Sequence, residues 1–315
     1  MPRLKLVGCV LIVLWLGTLL CPAGEAGGTS LQTAVVRAMA GRRGAAVVLD
    51  VQSGKVLAAY RLDVAARRVA YPGSAVKPFT LLALLQAGKL DAHTALLCKR
   101  TVAIGAHKLD CTHPASPDPL VPASALAYSC NSYFTTVATR LTPAQLRDSF
   151  VRSGFSSRTG LASAEAAGYV SLSRTPEDLQ LQAIGEWGVR VTPLELLRGY
   201  RELAMAARNN PAGELLPVFE GLQQSVSYGM GRMAQPKAPL QVAGKTGTAP
   251  ADEGAWTHAW FAGYAPAEKP EIVIVVFLEK GRGGTDAAGV AREIFAAFAV
   301  PRGLGLAQAA KEAQP

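Results

Sequence analysis

Hydrophobic and polar positions change period several times along the chain. Residues 6–20 form an apolar run broken only by Gly8, Gly17 and Thr18, with Arg3 and Lys5 before it and the small residues Gly24 and Ala26 after it. A basic, then apolar, then small-residue order predicts an export signal over residues 1–26. The run is shorter than the roughly 20 residues of a spanning helix, and a retained N-terminal anchor is the alternative. A lipoprotein site at Cys21 fits less well, because Leu20 is bulky where a small residue is wanted.

Behind Ser30, Leu31, Val35, Ala38 and Met39 recur at helical spacing, so a helix capped by Ser30 is expected. Residues 45–50 and 55–60 read as two strands joined by a turn at Ser53-Gly54. Residues 79–88 read as a buried helix stopped by Gly88. Residues 120–230 are mostly helical in pattern. The period then switches, and residues 240–249, 257–264 and 271–279 read as three strands before a closing helix over 286–300. Residues 303–315 are Ala-, Gln- and Gly-rich and read as a frayed tail. This order predicts an α+β domain over residues 27–302. Its sheet lobe draws on about 30–73 and 235–302, and an all-helical lobe over about 74–234 is inserted between them. A cleft belongs where lobe and sheet meet.

Half of the 315 residues are hydrophobic and 17% are charged, which excludes wholesale disorder. Lys and Arg number 32 against 23 Asp and Glu, for a net charge of +9. That balance suits anionic surroundings such as acidic lipid or an anionic polymer. Nucleic acid is not favoured as a partner, because the basic residues are scattered without interleaved aromatics. Five cysteines are too few for a disulfide-built scaffold. With Cys9 and Cys21 in the signal, Cys98, Cys111 and Cys130 remain. In an oxidising compartment Cys98 and Cys111 can pair, closing a loop of about 14 residues and stabilising by roughly 3 kcal/mol. Two buried free thiols, or zinc held with His107 and His113, are the alternatives. Cys130 reads as a small buried apolar residue. The histidines (His93, His107, His113, His258) show no metal-binding helix spacing, and His258 reads as a strand residue. No metal and no cofactor are assigned.

Three short motifs carry chemistry. Pro72-Gly73-Ser74-Ala75-Val76-Lys77-Pro78 places Ser74 and Lys77 three apart, on one face of a helix. Ser74 falls at the helix start, where free N–H groups favour developing negative charge. A serine needs a base, and a Lys77 amine with depressed pKa can serve. Tyr128-Ser129-Cys130-Asn131-Ser132-Tyr133-Phe134 offers Ser129 as a proton relay and Asn131 as donor and acceptor for a substrate amide; read alone it is a turn or a helix cap. Val242-Ala243-Gly244-Lys245-Thr246-Gly247-Thr248-Ala249 contains Gly-Lys-Thr but not a phosphate-binding loop, since Pro239 stands where that loop needs glycine. On a sheet edge, Gly247 would let a substrate backbone approach, Lys245 and Thr246 could bind a carboxylate, and the Thr248 N–H could face an oxyanion. Gly154-Phe155-Ser156-Ser157-Arg158 lacks the second glycine of a nucleophile elbow.

Ser-x-x-Lys, Ser-x-Asn and Lys-Thr-Gly in this order resemble the signature of serine penicillin-binding proteins and serine β-lactamases. The flanking Lys77-Pro78-Phe79-Thr80, Val191-Thr192-Pro193-Leu194-Glu195-Leu196 and Trp260-Phe261-Ala262-Gly263-Tyr264-Ala265-Pro266 resemble the peptidoglycan transpeptidases in particular, over about residues 30–300. The resemblance implies an antiparallel sheet flanked by N- and C-terminal helices. It implies Ser74 as nucleophile, Lys77 as base, Ser129 as proton shuttle and Asn131 as amide holder. Lys245, Thr246, Gly247 and Thr248 would line the substrate strand, and the N–H groups of Ser74 and Thr248 would form the oxyanion hole. The implied substrates are D-Ala-D-Ala stem peptides of peptidoglycan, with β-lactams as covalent inhibitors, in a periplasmic or other extracytoplasmic place with possible anchoring to the inner membrane. The segment from Cys98 to Cys111, followed by His113, resembles a cysteine-bearing hairpin of some members. Gly185-Glu186-Trp187-Gly188 departs from the family's Gly-Gln-Gly. The length predicts a bare transpeptidase domain behind its signal. A D,D-carboxypeptidase, a β-lactamase and a non-catalytic β-lactam or peptidoglycan sensor are the competing readings.

Overall fold

The computed structural model describes residues 26–116, 118–252 and 255–300. The expected signal and the expected tail therefore lie outside the described residues, apart from the last residue of the signal. No helix among the described residues is long and apolar enough to cross a membrane.

The chain opens with α1 (Ala26–Ala38), β1 (Gly44–Asp50), β2 (Val56–Tyr60) and α2 (Leu62–Arg67). The first helix starts before Ser30, which is thus an interior position and not its cap. A one-turn 3-10 helix (Gly73–Val76) leads into α3 (Lys77–Gln86). The inserted lobe continues with β3 (Thr101–Ile104), β4 (His107–Asp110), α4 (Pro122–Ala127), α5 (Asn131–Ala138) and α6 (Pro143–Arg152). It closes with β5 (Tyr169–Val170), α7 (Pro176–Ala183), β6 (Val189–Arg190), α8 (Pro193–Asn209) and α9 (Leu216–Ser227). The last segment gives β7 (Ala243–Pro250), β8 (Thr257–Ala265), β9 (Ile272–Leu278) and α10 (Ala288–Ala299).

Five strands pair in the order β2-β1-β9-β8-β7, and every pairing is antiparallel. β1 lies against β9 from Gly44 opposite Leu278 to Asp50 opposite Ile272, so the two ends of the chain build the middle of one sheet. Alternation at period two sorts the side chains between two cores. Val273, Val275 and Phe277 of β9 join Ala45, Val47 and Leu49 of β1 on the face toward the inserted lobe. Ile272, Ile274, Val276 and Leu278 join Ala46 and Val48 on the other face, under Leu31 and Val35 of α1 and Val290, Ile294 and Phe295 of α10. Burial on both faces explains why these strands read as almost unbroken apolar runs.

The inserted lobe is not purely helical. It carries two small antiparallel pairs, β3 with β4 and β5 with β6, that the hydrophobic pattern does not reveal. β5 and β6 have two residues each, too few for an alternation to register. The β3–β4 hairpin alternates weakly because most of its residues are exposed. Helix starts in this lobe follow a repeated device. Thr142, Thr175 and Thr192 each cap a helix with Pro in its first turn, and Gln145, Asp178 and Glu195 complete the capping boxes.

Candidate active site

Ser74 sits in the 3-10 turn at the head of α3, half-exposed between buried neighbours. That turn is held from several sides. Trp260 Nε1 donates to the Tyr71 carbonyl at 3.0 Å, and Tyr200 Oη donates to the Ala75 carbonyl at 2.8 Å. The Gly73 N–H donates to the Gly185 carbonyl at 3.2 Å. Arg190 stacks on the Tyr71 ring at 4.1 Å and pairs with Asp252. Gly73 adopts φ 52°, and a Cβ there would lie 2.6 Å from the Thr248 carbonyl. Only glycine allows the Ser74 turn this close to β7.

Gly247 serves the same contact from the other side. A Cβ on it would lie 2.3 Å from the Pro72 carbonyl and 3.1 Å from Ala75. The close approach expected of a substrate backbone is therefore made, at Gly247, by the protein's own Ser74 turn. Thr248 is exposed, and its Oγ1 accepts a hydrogen bond from the Gly283 N–H at 2.9 Å. β7 is an edge strand, so half of its backbone groups are not paired with β8.

Lys77 is fully buried. Its Nζ donates to the Ser129 carbonyl at 2.7 Å, to Ser129 Oγ at 3.3 Å and to Asn131 Oδ1 at 2.6 Å. Burial lowers its pKa to about 8, against the opposing pull of Cys130, Cys111 and Glu186. Lys245 is also fully buried and donates to the Thr246 carbonyl at 3.1 Å; burial first, then the Lys77 charge, push its pKa well down. Two lysines so placed supply positive potential and an amine that can shed its proton near neutral pH. Among the described residues Ser74 Oγ has no hydrogen bond, so the resting contacts of Lys77 run to the second motif rather than to Ser74.

The second motif is a turn between α4 and α5. Ser129 adopts φ 56°, a left-handed conformation that costs a serine about 1 kcal/mol. Hydrogen bonds from the Ser129 N–H to Leu126 O and the Cys130 N–H to Ala125 O hold it there. The amide of Asn131 is engaged at both ends, since Nδ2 donates to the Asp110 carbonyl of β4 at 3.3 Å. The structure thus brings Ser129, Asn131 and Lys77 into one hydrogen-bonded group, and the Ser74 turn against Gly247 and Thr248.

The cysteines are arranged differently from a simple Cys98–Cys111 pair. Cys98, Cys111 and Cys130 are all free. Cys98 Sγ faces His113 Nε2 at 3.5 Å, and Cys111 Sγ lies 3.8 Å from Cys130 Sγ. The Cys98 and Cys111 thiols are free rather than bridged, and both belong to one cluster with His113 and Cys130. Cys98, Cys111, His113 and Cys130 place four donor atoms within 4.8 Å of one another, three of the residues buried. Tetrahedral zinc with Zn–S near 2.3 Å sets sulfurs about 3.8 Å apart, as for Cys111 and Cys130. Outer contacts fit the same role. His113 Nδ1 lies 2.7 Å from the Pro114 carbonyl and 3.3 Å from Arg100 Nη1; in the tautomer that donates to Pro114, Nε2 keeps its lone pair for the cluster. Backbone N–H groups of Arg100, Ser132 and Tyr133 donate to the sulfurs of Cys98, Cys111 and Cys130. The Cys130 hydrogen bond, then the Ser132 N–H, draw Cys111 well below an ordinary thiol, while the same sharing and burial hold the proton on Cys130. The sequence reading assigned no metal, and its zinc alternative named His107 where the structure places Cys130. The signal available was the cysteine left over once Cys98 and Cys111 are paired.

The chain is 25% identical to the peptidoglycan D,D-transpeptidase MrdA of Acinetobacter baumannii, over 84% of this chain and 52% of that protein. It is 26% identical to FtsI of Escherichia coli, over 81% of this chain and 50% of that protein. The chain thus spans about half the length of the curated relatives it matches. A crystal structure of Pseudomonas aeruginosa PBP2 superposes with a TM-score of 0.76 at 25% identity, covering 85% of this chain and 76% of that one. The transpeptidase domain from Eggerthella lenta shares the fold, with a TM-score of 0.73 at 24% identity over 87% of this chain and 82% of that one. Residues 44–298 match the family described as the penicillin binding protein transpeptidase domain, and the chain belongs to that family.

Proposed function

We propose that the chain is a penicillin-binding D,D-transpeptidase domain that acts on D-Ala-D-Ala stem peptides of peptidoglycan through an acyl-enzyme on Ser74. The observation that carries this reading is the contact of Lys77 Nζ with both Ser129 and Asn131, beside a Ser74 turn packed on β7. Lys77, with its pKa drawn down by burial, takes the Ser74 proton. Ser74 Oγ attacks the carbonyl carbon of the penultimate D-Ala. The N–H groups of Ser74 and Thr248 receive the oxyanion. Ser129 passes a proton to the departing D-Ala amine. Lys245, Thr246 and Thr248 hold the terminal carboxylate, and the substrate extends along the β7 edge. β-Lactams enter the same site and stay as acyl adducts. An extracytoplasmic place beside the wall polymer follows from this substrate and agrees with the net charge of +9.

Cys98, Cys111, His113 and Cys130 hold one zinc ion in this reading, which pins the β3–β4 hairpin to the turn carrying Ser129 and Asn131. Its role is structural, since all four tetrahedral positions are filled by protein. Metal analysis of the purified protein checks it, with one zinc per chain expected.

A fluorescent penicillin is expected to label the protein covalently, and Ser74→Ala is expected to abolish labelling. Label that persists on the Ser74→Ala protein overturns the assignment.

A further inference from the structure

One end of the cleft is walled by an ion pair. In β7 and just past it, Thr248, Pro250 and Asp252 are exposed while Ala249 and Ala251 are buried, so an alternation of period two carries the exposed face of Thr248 on to Asp252. Across from Asp252 stands Arg190 of β6, in the inserted lobe, and its two terminal nitrogens both donate to the Asp252 carboxylate. Arg190 lies over the Tyr71 ring at 4.1 Å, and Tyr71 is three residues before Ser74. The Tyr71 segment and β6 are joined directly, because Ala70 and Val191 exchange two hydrogen bonds of 3.0 Å between their N–H and carbonyl groups. Tyr169 of β5 is paired opposite Arg190 and is 46% exposed. Tyr71, Tyr169, Arg190 and Asp252 thus stand together where the inserted lobe meets the far end of β7.

On the acyl-enzyme reading above, a donor peptide meets this wall ahead of its scissile bond. With the terminal carboxylate at Lys245 and Thr246 and the scissile carbonyl at the Thr248 N–H, the peptide runs antiparallel to β7. Residues before the scissile bond then pass Ala249 and Pro250 towards Asp252. Pro250 has no N–H, so a backbone ladder has no donor there and recognition passes to side chains. The four residue steps from Thr248 to Asp252 span about 13 Å. The residue before D-Ala-D-Ala covers one step, so a long side chain on it reaches the ion pair and a short one does not. The pair takes two of the five N–H groups of the Arg190 guanidinium. Arg190 Nε is buried and has no partner among the described residues. The Asp252 side chain is 43% exposed and keeps lone pairs for a further donor. A lone cation or a lone anion brought to such a pair meets its own sign as well as the opposite one. A group carrying both signs meets each as the opposite.

We propose that Arg190 and Asp252 determine specificity for the residue that precedes D-Ala-D-Ala in the donor peptide, selecting a long side chain that ends in an amine and a carboxylate on one carbon. The inference rests on the acyl-enzyme reading and names its donor. The side-chain carboxylate accepts from the outer N–H groups of Arg190, and the ammonium donates to Asp252, so four charges of alternating sign meet in one plane of contact. Tyr71 backs the guanidinium and holds its plane. A side chain with the amine alone leaves its cation beside Arg190, and one with the carboxylate alone leaves its anion beside Asp252. The two residues touch the donor far from the reacting atoms, so they act on which peptide binds.

Three tripeptides, N-acetyl-X-D-Ala-D-Ala, separate the charges: X is meso-diaminopimelate with both groups, L-lysine with the amine alone, or L-2-aminopimelate with the carboxylate alone. Each is titrated against labelling of the protein by fluorescent penicillin, and the concentration that halves the labelling rate is read. For the wild type the diaminopimelate peptide is expected to act at least tenfold below either of the others. In Arg190→Gln its advantage over the lysine peptide is expected to fall below threefold. In Asp252→Asn its advantage over the aminopimelate peptide is expected to fall below threefold. Each readout is a ratio within one protein, so a general loosening of the Ser74 turn cancels from it. Wild-type concentrations within threefold of one another overturn the proposal, as does a diaminopimelate peptide that does not compete at all. Variants that keep the wild-type ratios also overturn it. Failure of the wild type to label with penicillin overturns the acyl-enzyme reading itself, a separate outcome. Should Arg190→Gln not fold, Asp252→Asn, on the more exposed side of the pair, decides alone.

Discussion

Gly247→Ala tests whether the distance between the Ser74 turn and β7 is set by backbone contact. The added methyl would stand 2.3 Å from the Pro72 carbonyl, and an ordinary contact begins at 3.4 Å. The two elements must part by about 1.1 Å, or the strand must twist by as much. Pro72 cannot yield alone, because the adjoining Tyr71 and Ala75 carbonyls are bonded to Trp260 and Tyr200. Overpacking of this kind costs about 1–3 kcal/mol of stability. The larger effect falls on the chemistry, since the N–H groups of Ser74 and Thr248 lie on the two elements being separated. A displacement near 1 Å lowers a rate on the order of 10²-fold, or about 2.7 kcal/mol in activation free energy. The assay is the second-order rate of labelling by fluorescent penicillin, read beside a thermal melt. Gly289→Ala in α10 is the control: an added Cβ meets nothing within 4 Å, and helix propensity favours alanine by up to about 1 kcal/mol. It is expected to melt no lower than wild type and to acylate at the wild-type rate. A folded Gly247→Ala protein that acylates within threefold of wild type refutes the reasoning.

The remaining predictions concern the base, the thiol cluster and one buried carboxylate. Acylation is expected to rise about tenfold per pH unit up to about pH 8 and then level, because burial favours the neutral Lys77 amine proposed as base; a flat profile between pH 6 and 8 refutes this. Stripping the protein with a strong chelator, or Cys111→Ser, is expected to lower the melting temperature and slow acylation together, because Cys130 lies between Ser129 and Asn131; unchanged melting would remove the metal. Glu195→Ala is expected to cost about 3 kcal/mol in a denaturant titration, since it orphans the N–H groups of Ser156, Gly168 and Thr192; a loss below about 1 kcal/mol refutes it.

What was legible in the sequence is what is local. Each motif occupies a few consecutive residues, and the element carrying it follows from a turn residue and a change of period. Ser74 and Lys77 share a helix start, and Lys245 to Thr248 lie on a strand, as the pattern implies. The strands of β1, β8 and β9 were visible because both faces are buried. What was not legible depends on partners distant in sequence. Spacing shows that Cys98 and Cys111 can meet but not that Cys130 intervenes from the next helix cap. Gly247 signals close approach without naming Pro72 as the neighbour.

The pairing of β1 with β9 has a consequence for how the molecule comes into being. Gly44 meets Leu278, and almost the whole inserted lobe lies within the loop they close. Such long-range closure must be paid in chain entropy before its contacts return anything, so folding is slow and late. A growing chain that has not yet made residues 272–278 leaves β1 with one flank unpaired. Ser74 and Ser129 are synthesised long before the strand that supplies Lys245 and Thr248. On the proposed mechanism no N-terminal fragment can form the acyl-enzyme, because Lys245 and Thr248 take their place only with the last strands.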